Sequence, residues 1–181
     1  LGKKLPPRAR QAALVALLAL LLAVPFRSSG YVLHLLTLLF TFAIMAEGWN
    51  LIGGFTGYTD FGAVVFFGLG GYTTGLLMTK LKLPFPVAWL GGAVLCVVFA
   101  ILIGLLLLRL RGHYFGIATL GLSFAVQQVI ANWPSVTGGG TGISLPIFDF
   151  PNSVFYYIML GLLVLAVGFT WWMSRNRLGF G

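Results

Sequence analysis

Apolar residues along this chain run in long blocks, broken by short polar or glycine-rich links. Six such blocks can be marked, at 11–26, 31–52, 63–79, 85–108, 116–133 and 154–173. Most reach the ~17 to 25 residues that a helix needs to cross the hydrocarbon core of a bilayer. Barrel strands would instead alternate polar and apolar positions over about ten residues, and these blocks do not. The pattern predicts an all-α, polytopic helical membrane protein with about six transmembrane helices and a Gly-rich broken or re-entrant segment between the second and third.

The first block is the weakest. It is short, and Lys3, Lys4, Arg8 and Arg10 precede it as in the n-region of a signal peptide. Both a cleaved signal and a retained signal anchor satisfy that pattern. The chain begins at Leu1, from which a fragment lacking its true N-terminus is expected.

Composition agrees with a membrane protein: 59% of the residues are hydrophobic and 8% charged, with a mean hydropathy of +1.01. The formal net charge is +8, but the basic residues are spread over the links and do not form the single patch that nucleic acid requires. They mark topology. With the N-terminus in the cytoplasm and six crossings, Lys3, Lys4, Arg8, Arg10, Arg109, Arg111, Arg175 and Arg177 lie inside, whereas Arg27, Lys80 and Lys82 lie outside. That split obeys the positive-inside rule, and the inverted orientation reverses it. The link at 134–153 has no Lys or Arg, holds Asp149, and faces outward.

Several chemistries find no support. The single cysteine, Cys96, excludes an intrachain disulfide and a thiolate cluster. His34 and His113 lack a second ligand at metal-binding spacing, so no metal site is expected. There is no P-loop, nucleophile elbow or dinucleotide fingerprint. The expectation is a protein that is not an enzyme, with no cofactor on this chain.

Small residues recur at helical spacing inside the blocks: Gly92, Cys96, Ala100 and Gly104 in the fourth, Gly71 and Gly75 in the third, Gly121 and Ala125 in the fifth. Such faces let helices approach closely, and they predict packing seams. The stretch "NLIGGFTGYTDFG", 50–62, has a different character. Glycines at 53, 54, 57 and 62 disfavour a continuous helix. An irregular backbone in a membrane is tolerated only where protein or water satisfies it. The stretch is either a cytoplasmic turn or a re-entrant segment lining a path; Phe55, Tyr58 and Phe61 are apolar for a free loop, and no Lys or Arg anchors it.

Polar positions continue into the flanking blocks. Glu47 stands ~24 Å along its helix, still inside a ~30 Å core, and should face the interior or water. Asn50 shares its face. In the fifth block Thr119, Ser123 and Gln127 form a stripe, with Gln128 and Asn132 beside it. Interhelical hydrogen bonding and path lining both account for such a stripe.

The runs "NLIGGFTGYTDFGAVVFFGLGGYTTGLL", "LRLRGHYFGIATLGLSFAVQQVIANW" and "TGGGTGISLP" resemble the permease subunits of ABC transporters that import branched-chain amino acids. The resemblance covers most of 31–173. Its most specific parts are the Phe-Phe-Gly-x-Gly-x-Tyr element from Phe66 to Tyr72, the Arg-Gly-x-Tyr-Phe element at 111–115, and the Thr-Gly-Gly at 137–139. Ala63, Phe124 and Gln127 depart from residues common in such permeases, and similar permeases serve urea and short amides.

The resemblance implies a division of labour: a periplasmic binding protein delivers the solute, a second permease subunit completes the path, and two cytoplasmic ATPase subunits hydrolyse ATP. It also implies a bacterial or archaeal inner-membrane location. Residues 1–173 would then be a partial permease domain and 174–181 the start of a cytoplasmic loop leading to a missing C-terminal half. Candidate path residues are Glu47, Asn50, Phe55, Thr56, Tyr58, Thr59, Asp60, Phe61, Phe66, Thr119, Ser123 and Gln127. Asp60 either pairs with the solute's ammonium group or caps a half-helix beginning near Phe61. The competing class is an ion-coupled carrier or channel using Glu47 and Asp60, for which a second copy of the "GYTDFG" region would be expected but is not found.

Overall fold

The computed structural model describes residues 7–110, 112–145 and 150–175. Lys3, Lys4, Arg111, Asp149 and Arg177 lie outside the described residues, as does 176–181. Seven α-helices and no strand occur among the described residues: α1 (Pro7–Ala23), α2 (Gly30–Thr56), α3 (Ala63–Lys80), α4 (Phe85–Leu107), α5 (His113–Ala131), α6 (Pro134–Thr137) and α7 (Asn152–Arg175). Every apolar block therefore forms a helix, and α6 is a short addition within the 134–153 link.

By length and composition α2, α4, α5 and α7 can cross a membrane. The other two helices, α1 and α3, are shorter or less apolar than these four. α1 has 17 residues, and the 18 residues of α3 include Tyr72, Thr73, Thr74 and the terminal Lys80, which dilute its apolar content. The threonines within the helices bond their own preceding turn, as Thr73 to the Leu69 carbonyl at 2.7 Å and Thr37 to that of Leu33 at 2.8 Å. Hydroxyls closed in this way are tolerated where no water is present.

The chain divides into two compact units. In the first, residues 7–44 and 150–175, the core is Leu33 and Phe40 of α2 against Tyr156 and Leu160 of α7. Phe40 and Tyr156 are 5.3 Å apart between ring centroids. The Tyr156 hydroxyl donates to the Leu21 carbonyl at 2.8 Å, and that of Tyr157 to Leu22 at 3.2 Å. Both acceptors belong to the last turn of α1, whose carbonyls have no partner within the helix. At the far end of α7, Arg175 lies 4.0 Å over the Trp171 ring, a pairing suited to a membrane interface.

The second unit, residues 45–145, holds the end of α2, all of α3 to α6, and the break at 57–62. α3 and α4 form an antiparallel hairpin through a link in which Lys82 adopts φ 51. Their seam is tight. A Cβ on Gly92 would lie 2.9 Å from the Gly70 carbonyl oxygen and 2.6 Å from Thr74 Oγ1. The Cys96 thiol donates to the Phe66 carbonyl at 3.4 Å, and the Phe66 and Phe99 rings meet edge to face at 6.0 Å.

The small-residue seams are thus in part differently placed from the sequence expectation. On α3 the face against α4 is Phe66, Gly70 and Thr74, one residue out of register with Gly71 and Gly75. Gly71 faces open space, and Gly75 abuts Leu145 of the later link. On α4 only the first half of the ladder, Gly92 and Cys96, meets α3; Ala100 is exposed and Gly104 has open space around it. Gly121 is likewise open and Ala125 exposed.

Candidate functional site

Gly53 and Gly54 do not break α2, which continues to Thr56. Glycine is common in membrane helices, where no water competes for the backbone bonds, and the Trp49 ring covers Gly53, 3.3 Å from where its Cβ would be. Thr56 closes the helix by donating to the Ile52 carbonyl at 2.6 Å. The turn begins at Gly57 with φ +71, a conformation that costs glycine little.

From there the chain runs along the first turns of α5. The Tyr58 ring is 5.1 Å from that of Phe115. Gly116 has no side chain to keep the Thr59 carbonyl away; a Cβ there would be 3.2 Å from it. Next, the Phe61 amide donates to Thr119 Oγ1 at 3.1 Å, while Thr119 donates to the Gly116 carbonyl at 3.0 Å. Ser123 is within donating distance of the Phe61 carbonyl, 2.9 Å, and of its own helix's Thr119 carbonyl, 3.0 Å. Ser123 is roughly 15 Å along α5 from its first residue, so the break reaches well past the end of that helix.

Asp60 is 6% exposed. Its Oδ1 accepts the Gly62 amide at 2.7 Å, and its carbonyl accepts the Trp49 indole N–H at 2.9 Å. It does not cap a helix beginning near Phe61. α3 starts at Ala63 with Gly62 as N-cap and no side-chain cap bond; Asp60 closes the turn just before, an Asx geometry that leaves the helix to open through Val65 N–H and the Gly62 carbonyl at 2.9 Å.

Two consecutive peptide units are therefore held at both ends. The 60–61 peptide is gripped by Trp49 and Thr119, and the 61–62 peptide by Ser123 and Asp60. That answers how irregular backbone is satisfied within a membrane protein: side chains of α2 and α5 stand in for water. The Phe61 ring, 51% exposed, projects from this rigid base.

The remaining candidates fall into two groups. Glu47 and Phe55 are half-buried, and Asn50, Thr56 and Thr59 exposed; the first four lie in the last turns of α2 and Thr59 in the break itself. Gln127 is exposed one turn beyond Ser123. Phe66 is not brought to the break; it serves the α3–α4 seam. Trp49 is the residue that residue patterning does not single out. The available signal is its indole N–H, which seeks a partner in an apolar surrounding.

At the opposite end of α5 the Thr-Gly-Gly element closes the helix. Thr137 is buried and shares its hydroxyl proton between the Ile130 and Trp133 carbonyls at 2.6 and 2.8 Å. Gly138 has φ +76, and a Cβ there would collide with the Gly142 carbonyl. Lys80 Nζ donates to the Ser135 carbonyl at 2.7 Å, which joins the end of α3 to α6.

Long apolar helices with exposed Val and Leu faces, and one irregular segment clasped between them, define a polytopic α-helical membrane protein. Residues 31–181 match the family model described as the permease component of the branched-chain amino acid transport system. The chain belongs to that family. It is similar to the high-affinity branched-chain amino acid transport system permease protein LivM of Escherichia coli K12, 37% identical over 135 residues, which cover 72% of this chain and 31% of the relative. The LivM of Salmonella typhimurium LT2 is 35% identical over the same shares. The aligned part thus spans about a third of the length of these relatives. No solved structure matches the chain.

Proposed function

We propose that the chain is part of the membrane permease subunit of an ABC importer and forms part of the path for branched-chain aliphatic amino acids. The observation that carries this reading is the family match over 31–181. In this reading a periplasmic binding protein delivers the solute, a second permease subunit faces this one across the path, and ATP is hydrolysed on two separate cytoplasmic subunits. The path residues are those around the break, together with Glu47, Asn50 and Gln127. A path needs weak, oriented contacts so that solute can leave. The helix ends that flank the break present their dipoles to a zwitterion's charged groups, and Phe55, Tyr58 and Phe61 meet its aliphatic side chain.

Uptake of labelled leucine, isoleucine and valine by cells with and without the complete transporter tests the assignment. Loss of that uptake on deletion, restored by the full-length gene, supports it. Restored uptake of urea or acetamide alone would replace the solute class, and solute uptake that persists without any ATPase subunit would favour an ion-coupled carrier.

Topology follows the charge split. A reporter fused after Arg175 is expected in the cytoplasm and one inserted at Gly140 in the periplasm. The opposite labelling would invert the orientation and move the break at 57–62 to the outer side.

A further inference from the structure

We infer that Trp49 and Thr119 are paired positioning residues: they hold opposite ends of the Asp60–Phe61 peptide, so that α2 and α5 set the orientation of the break through one peptide plane. The inference rests on the reading of this segment as part of a solute path. Trp49 donates to the carbonyl of that peptide at 2.9 Å, and Thr119 accepts its N–H at 3.1 Å. A peptide unit is planar, so fixing both its ends fixes the direction in which the chain leaves it on either side. On one side is the Asp60 side chain, turned back to the Gly62 amide at 2.7 Å. On the other is the Phe61 ring, half exposed.

The two supports differ in what backs them. Thr119 is 3% exposed and is itself anchored to the Gly116 carbonyl at 3.0 Å. Trp49 is 47% exposed and reaches the peptide by one indole bond. The link to α5 is reinforced by Ser123 on the next carbonyl at 2.9 Å, whereas the chain leaves α2 through Gly57, whose φ of +71 is glycine-specific. The segment therefore travels with α5, and the indole bond is what makes α2 follow. Trp49→Phe keeps an aromatic ring but removes the donor, together with part of the ring that lies over Gly53; Thr119→Val keeps the shape and removes the acceptor; Thr119→Ser restores it.

The test uses the complete transporter, with the full-length chain, in proteoliposomes. Solute imported per ATP hydrolysed is the readout, since a variant that merely misfolds loses hydrolysis as well. Trp49→Phe and Thr119→Val are each expected to lower that ratio about fivefold, with ATP turnover kept and Thr119→Ser near the unsubstituted value. Because both act on one peptide, the double variant should fall no further than either single. A multiplicative loss in the double variant, or an unchanged ratio in both singles, would overturn the inference. Should the transporter carry no branched-chain amino acid, the functional reading fails while positioning is still read from amide exchange. Exchange across 57–62 is expected to quicken about fivefold in Trp49→Phe with that of α3 unaltered; unchanged exchange would again overturn it.

Discussion

Asp60→Leu is expected to reduce solute uptake at least about tenfold at normal membrane abundance, whereas Asp60→Asn should keep uptake within about threefold of the unsubstituted protein. The difference follows from the bond it makes. Asp60 Oδ1 accepts the amide of Gly62 at 2.7 Å, and Gly62 is buried. Leucine leaves that amide unsatisfied, at ~1 to 3 kcal/mol, and releases the 61–62 peptide from one of its two supports. Asparagine presents a carbonyl oxygen in the same place. Uptake assays with both variants decide what the residue contributes: equal and severe loss in both would assign the role to the carboxylate charge and to a solute ammonium group, and retained uptake in both would remove Asp60 from the path.

The helices were legible because apolar length alone specifies them in a bilayer, and each of the six blocks is α-helical over most of its length. Their ends and faces were harder. Gly53 and Gly54 resemble a break in sequence, yet a glycine costs a helix only ~1 kcal/mol, and Trp49 covers that turn. On α3, "GLGGYTTG" carries small residues in two registers, Gly71 with Gly75 and Gly70 with Thr74. Spacing cannot choose between them. The choice is made by α4, where Gly92 admits the Gly70 carbonyl and Thr74 hydroxyl. The Thr119 and Ser123 stripe was visible as polar spacing, but its partners, the amide and carbonyl of Phe61, are backbone groups with no sequence signature. Trp49 escaped for the same reason, since its acceptor is the Asp60 carbonyl.

Gly92→Ala is expected to destabilise the α3–α4 hairpin by ~1 to 3 kcal/mol, the usual cost of overfilling a tight contact. The added methyl would lie 2.9 Å from the Gly70 carbonyl oxygen and 2.6 Å from Thr74 Oγ1. Those two atoms are already bonded to each other at 2.8 Å, so neither can withdraw without disturbing the helix that carries it. The seam must open, and the Cys96 contact with the Phe66 carbonyl opens with it. Gly104, on the same ladder three turns along, has nothing within 4 Å of its Cβ position. Gly104→Ala should therefore be neutral, or mildly stabilising through helix propensity. Thermal denaturation of the purified full-length protein compares the two directly. A lower midpoint for Gly92→Ala beside an unchanged one for Gly104→Ala supports the seam described here; equal loss at both positions would place another helix against the Gly104 half of the ladder.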